Sequence, residues 1–148
     1  TGEENSGIRL LKFPWLPLTH NLFHFNSAPE IRLAEIYYAL AECKYRGGDA
    51  PAAAALLDAV RKRNYPDDVW PSVSYVAHPD MLTDDEFVDE LGREFLGERH
   101  RRTDLVRWGR FGNEWWDKPV DASDRSVFPI PNRALNANPL LQPNPANE

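Results

Sequence analysis

The chain has 148 residues, a mass of 17.0 kDa and a formal net charge of −6, the length of one domain able to bury about 70% of its unfolded surface. Its 42% hydrophobic and 27% charged content excludes a wholly disordered chain. The acidic balance argues against a general nucleic-acid binder, whose phosphate affinity needs a basic surface.

In chain order, residues 1–29 read as an irregular lead-in. Its start, TGEENSG, has neither the basic nor the apolar region of a signal peptide, and no apolar run in the chain approaches the ~20 residues that span a bilayer. Pro14, Pro17 and Pro29 prevent a long helix. His20 and His24 have i,i+4 spacing, but Asn21 stands where a metalloprotease pattern has Glu and no third ligand is in view. No metal or cofactor is expected.

From Ile31 to Tyr45 most positions are apolar, with Arg32, Glu35, Glu42 and Arg46 on one stripe. So wide an apolar arc predicts a helix packed on several sides, and it predicts that Cys43, the single cysteine, is a buried inert thiol. Gly47 and Gly48 stop this helix, and Asp49 caps a second, with Pro51 in its first turn and Arg61, Lys62 and Arg63 at its end. Two antiparallel helices with a tight turn and alanines at the contact make a tetratricopeptide-type pair. Such units need about three copies to bury a continuous core, so either other helices complete the layer or the chain belongs to something larger.

Residues 65–82 read as a Pro-containing loop carrying Trp70 and Tyr75. A third, long helix follows. Thr83 and Glu86 form its capping box, Leu82 staples to Phe87, and Phe87, Val88, Leu91 and Phe95 supply its buried face. Beyond Trp108 the chain turns irregular through Trp115 and Trp116 into a Pro-rich tail of extended and turn geometry. The expected architecture is mainly α and a single domain: a lead-in over 1–29, a helical scaffold over 30–110 and a tail over 111–148.

The stretch GERHRRTDLVRWGRF, residues 97–111, holds five arginines and a histidine. Acids interleave with them: Glu98 stands three before Arg101 and four before Arg102, and Arg101, Asp104 and Arg107 follow at steps of three. If the helix continues, these form a ladder of ion pairs. A nucleic-acid site leaves its cations unpaired, so the pattern favours intramolecular pairing.

The segments RLAEIYYALAE (32–42), AAALLDAVRKR (53–63), EFLGERHRRTDLVRWG (94–109) and FPIPNRALNANPLLQPNP (128–145) occur in that order. Together they resemble the C-terminal portion of the SusD/RagB family of outer-membrane nutrient-binding lipoproteins. Arg99 stands where that pattern prefers Gly, Leu91 where it places Arg, and Pro143 interrupts the usual Q-N-P. The resemblance implies a scaffold of tetratricopeptide-type pairs and a non-enzymatic role in capturing glycans for a TonB-dependent outer-membrane transporter. It also implies a longer lipoprotein whose anchor cysteine lies outside this chain. Arg32, Glu35, Glu98, Arg101, Asp104 and Arg107 are read as a structural ion-pair network. The candidate sugar-stacking aromatics are Trp70, Tyr75, Trp115 and Trp116, while Trp108 is expected in the core. Competing readings are a helix-pair scaffold that binds a protein and no sugar, and a glycoside hydrolase, for which no pair of carboxylates stands out.

Overall fold

The computed structural model describes Lys12 and residues 29–115, 118–120 and 127–144. They form six helices: α1 (Leu33–Arg46), α2 (Ala50–Arg61), α3 (Trp70–Val73), α4 (Asp84–Glu94), α5 (Arg101–Arg107) and α6 (Asn132–Ala137). Among the described residues the β-structure is an isolated antiparallel bridge between Trp115 and Lys118, so the fold is mainly α. None of the described helices is long and apolar enough to cross a membrane. His20 and His24 lie outside the described residues. The chain divides into two compact units, Thr1–Arg101 and Arg102–Glu148.

In the first unit, α1 and α2 form the antiparallel pair. Gly48, at φ 84°, takes the left-handed conformation that reverses the chain. The Gly48 N–H donates to the Tyr45 carbonyl at 3.0 Å and the Asp49 N–H to that of Lys44 at 2.9 Å. The Asp49 side chain then accepts from the Ala52 N–H at 3.2 Å, capping α2. Ala34 and Ala41 of α1 and Ala53 and Ala54 of α2 are all buried beside Tyr38 and Leu57. Small side chains at these positions let two backbones approach closely.

Burial on α1 is one-sided, contrary to the expectation from its wide apolar arc. Ala34, Tyr38, Ala41 and Glu42 are buried, whereas Leu33, Ile36 and Leu40 are exposed. Cys43 lies on that second side and is exposed, not buried. An apolar environment in the sequence therefore did not mean an apolar environment in space.

The segment read as a loop over 65–82 is more ordered than expected. It contains the single helical turn α3 and buries Ser74 and Tyr75. Asp58 of α2 organises it, accepting from the Ser74 hydroxyl at 2.6 Å and from the Tyr75 and Val76 N–H groups at 3.1 and 3.0 Å. At the start of α4, the Thr83 hydroxyl accepts from the Glu86 N–H at 3.2 Å, as the capping box requires. The Glu86 carboxylate instead accepts from the Tyr75 hydroxyl at 2.5 Å. Phe87, Val88, Leu91 and Phe95 are buried, and Tyr38 meets Phe95 edge-on with ring centroids 5.3 Å apart.

The helix does not continue into the arginine-rich stretch. It ends at Glu94, and Gly97 (φ 79°) and Arg99 (φ 68°) both adopt left-handed backbone, which breaks helical geometry. In the second unit, Leu105 and Trp108 are buried. The tail is also less irregular than read: residues after Pro131, free of proline until Pro139, form α6 over Asn132–Ala137.

Arg99, at φ 68°, bears a Cβ in a conformation that costs an L-residue about 1–2 kcal/mol. Arg99→Gly should raise stability by about 0.5–1 kcal/mol after the entropy cost of the glycine. The expected readout is a higher urea midpoint at unchanged m-value; a midpoint at or below that of the parent chain would show that the turn is unstrained.

Candidate functional site

Two sets of residues invite a functional reading, the charged residues around α4 and the aromatics on the turns. Along α4 and just past it, Glu90, Glu94 and Glu98 recur every four residues, and each carboxylate is almost wholly buried. A buried carboxylate is tolerated when cations and hydrogen-bond donors meet it, and each of these is met.

Glu90 accepts from the Tyr38 hydroxyl at 2.6 Å and from Arg93 Nε at 2.9 Å, and Arg61 Nε lies 3.1 Å away. Arg61, at the end of α2, is itself buried. Its guanidinium donates to the Val73 carbonyl at 2.8 Å and lies 3.7 Å above the centroid of the Tyr75 ring. Glu94 is gripped by Arg32 and Arg63. Glu98 is gripped by Arg32 Nε at 2.7 Å and by Lys12. The Arg32 Nη2 group also donates to the Glu94 carbonyl at 2.8 Å, and its guanidinium sits 4.8 Å from the centroid of Phe95.

The expected ladder is thus rearranged. Its Asp104–Arg107 rung forms at 2.8 Å. Glu98 turns to Arg32 and Lys12, and Arg101 reaches back to the Val88 carbonyl at 2.6 Å and to Asp89 at 3.2 Å. The cause is the left-handed turn at Gly97 and Arg99, which swings Glu98 off the helical register. Glu35 faces the His100 ring at 4.0 Å. Arg102 lies 5.1 and 4.2 Å from the ring centroids of Phe111 and Phe128, a packing role for a cation that the charge pattern alone did not suggest. Lys12 and Arg63 were also missed, because their partners lie far along the chain and no local spacing reveals them.

Burial acts against ionisation at Glu98, but hydrogen bonds from Arg32 and Lys12 outweigh it and hold the carboxyl below its ordinary value of 4.5. Burial pushes the Tyr38 and Tyr75 phenols well above their ordinary value, with the carboxylates of Glu90 and Glu86 adding to it. Neither phenol ionises in the neutral range. Among the described residues no group of three or more His, Cys, Asp or Glu is placed to hold a metal.

The candidate sugar-stacking aromatics separate into different environments. Tyr75 is completely buried beneath Arg61, so it has no face to offer, correcting its reading as a loop-borne platform. Trp70, in α3, is half-buried, with its ring centroid 6.0 Å from that of Tyr65. Trp108 is buried in the second unit. Trp116 lies outside the described residues. Trp115 remains 42% exposed, enough to present a ring face. Its backbone is paired with Lys118 through hydrogen bonds of 2.8 and 3.1 Å. The Lys118 ammonium lies 5.2 Å from the Trp115 ring and donates to the Phe111 and Asn113 carbonyls at 3.2 and 3.0 Å. Lys118, another residue the sequence did not single out, thereby ties down the turn that carries the tryptophan.

Fold and surface define a helical scaffold whose buried acids hold it together and whose turns carry aromatic rings. The chain belongs to the SusD family, whose profile matches residues 2–124. It is similar to the starch-binding protein SusD of Bacteroides thetaiotaomicron, with 31% identity over 138 residues covering 86% of this chain and 23% of that protein. A SusD-like protein of Formosa agariphila is 26% identical over 147 residues, covering 88% of this chain and 28% of the relative. The chain therefore spans about a quarter of the length of these relatives. No solved structure matches the chain at a significant level.

Because the Glu98 carboxyl is held below its ordinary value of 4.5, its contribution to stability is present above that pH and lost as pH falls through the depressed native value. Glu98→Gln should cost about 2 kcal/mol at neutral pH, by leaving Lys12 without its carboxylate partner and Arg32 with Glu94 alone. It should also flatten the loss of stability on acidification below pH 4.5. Urea titrations at a series of pH values check both, and a variant as acid-sensitive as the parent would remove Glu98 as the responsible group.

Proposed function

We propose that the protein to which this chain contributes is a non-enzymatic glycan-binding component of an outer-membrane nutrient-uptake system. The observation that carries this reading is the SusD-family match across residues 2–124, and a relative named as starch-binding supports a glucan as the first ligand to try. In this reading the protein is a surface lipoprotein anchored by a cysteine outside this chain. It captures an oligosaccharide or polysaccharide and passes it to a TonB-dependent, SusC-like transporter.

Sugar recognition of this kind needs an apolar ring face against which C–H groups of a pyranose can lie, with polar groups nearby for its hydroxyls. Trp115, held by Lys118, is the described residue that best meets this need. Trp116, the next residue in the sequence, and Trp70, whose ring lies near that of Tyr65, are the further candidates. No cofactor is required for capture. The acids support binding over hydrolysis, because Glu90, Glu94 and Glu98 are buried and held by cations, whereas a glycosidase needs two carboxyls facing a substrate cleft.

Titration of the whole-gene product with maltoheptaose and other soluble glycans, followed by calorimetry, tests the proposal. Trp115→Ala should weaken binding about three- to tenfold, the value of one aromatic contact, with an unchanged circular dichroism spectrum. Unchanged affinity in Trp115→Ala would take that ring out of the site. Absence of binding to any glycan would favour a helix-pair scaffold for a protein partner.

A further inference from the structure

Arg32, Arg61, Arg63 and Arg93 meet acids of α4, and Arg107 meets Asp104. Lys118 is held differently. Its ammonium donates to the Phe111 and Asn113 carbonyls at 3.2 and 3.0 Å, and a carbonyl supplies a dipole but no neutralising charge. No carboxylate of the described residues pairs with it, and those two bonds use two of its three N–H groups. The cation therefore keeps its charge and one donor. Its side chain is also fixed in advance, whereas a free surface lysine gives up rotamer freedom when it grips a ligand. The same turn carries Trp115. The antiparallel bridge between the two residues, with hydrogen bonds of 2.8 and 3.1 Å, sets their side chains on one side of the turn. The ammonium stands 5.2 Å from the centre of a ring that is 42% exposed, so aromatic surface and an unneutralised cation are offered together.

We propose that this turn selects an anionic sugar, one bearing a carboxylate or a sulfate, over a neutral one, a selection that rests on the glycan-binding reading and adds to it the class of glycan. A pyranose lying on the indole extends its substituents past the edge of the ring, within reach of a cation held beside it. A neutral hydroxyl there gains an ordinary hydrogen bond from Lys118, whereas a carboxylate or sulfate gains a charge-assisted one of roughly twice the strength. An anion also meets a cation whose charge no described carboxylate neutralises. The 148 residues carry a net charge of −6, so the average field of the chain works against polyanions. Selection for them has to come from a local contact such as this one.

Calorimetry on the whole-gene product tests this with glycan pairs that differ in charge alone. Oligogalacturonate against its methyl ester reports on the carboxylate, and a κ-carrageenan oligosaccharide against its desulfated form reports on the sulfate. The expected result is about tenfold tighter binding of the charged member of at least one pair, and the pair that shows it names the group. Lys118→Gln should bring the ratio of the two affinities close to one, and Lys118→Arg, which keeps the charge, should preserve it. A lysine that only ties down the turn would lower both affinities in step and leave their ratio as it was. A ratio unmoved by Lys118→Gln, equal binding of charged and neutral members by the parent protein, or binding confined to neutral glycans such as maltoheptaose would each overturn the proposal and leave glycan binding in place. Absence of binding to every glycan, charged or neutral, would remove the functional reading and this selection with it.

Discussion

Three carboxylates buried at intervals of four residues set the terms for the first unit. Glu90, Glu94 and Glu98 cannot be taken out of water alone, because an unmatched buried charge costs several kcal/mol. Each must be met where it lies, and the groups that meet them come from every other part of the unit. Arg61 arrives from the end of α2, Arg63 from the turn after it, Arg32 from the residue before α1, and Lys12 from further upstream. Tyr38 adds a hydroxyl from the middle of α1. Burial of Tyr38, Leu57, Phe87 and Phe95 is non-directional, whereas the charges must be matched pair by pair. The network thus supplies specificity of arrangement more than net stability, since pairs of this sort repay little beyond their own desolvation.

This answers the question posed by the arginine-rich stretch of an acidic protein. Arg101 serves the backbone of α4, Arg102 sits against two phenylalanine rings, and Arg107 pairs with Asp104. Each of these three arginines has an intramolecular partner. Among the described residues, the candidate rings that keep exposed area are Trp115, on the turn pinned by Lys118, and the half-buried Trp70. The chain belongs to the SusD family, matched across residues 2–124, and spans about a quarter of the length of the relatives it is similar to.

Much of the fold was legible because its signals are local. The Gly47–Gly48–Asp49 turn, the Thr83 cap and the buried face of α4 depend on residues within a few positions of one another, and caps and glycines announce them. Other features were not legible because their causes are distant or act through the backbone. Nothing near Glu98 in sequence points to Arg32, 66 residues earlier. The turn after Glu94 takes left-handed backbone at Gly97, as a glycine readily does, but also at Arg99, which no propensity favours. Tyr75 looked like a loop residue because its burial depends on Asp58 and Arg61 of α2. Cys43 looked buried because hydrophobic pattern reports what a helix is suited to contact, and among the described residues α1 is buried on one side alone. For the site, the aromatic residue types were visible from the start, but which rings face outward depended on tertiary packing.

The two kinds of contact in the first unit also differ in when they can form. The α1–α2 hairpin closes across a two-glycine turn, at a small cost in loop entropy. The Arg32 contacts to Glu94 and Glu98 span 62 and 66 residues and must await everything between them. Local pairs of helices form quickly, and contacts of long sequence separation form late. Until the acids of α4 are enclosed they stay hydrated and lose nothing by waiting, so desolvation opposes any premature or misregistered collapse. On these grounds the charged network is expected to close late, after the α1–α2 hairpin.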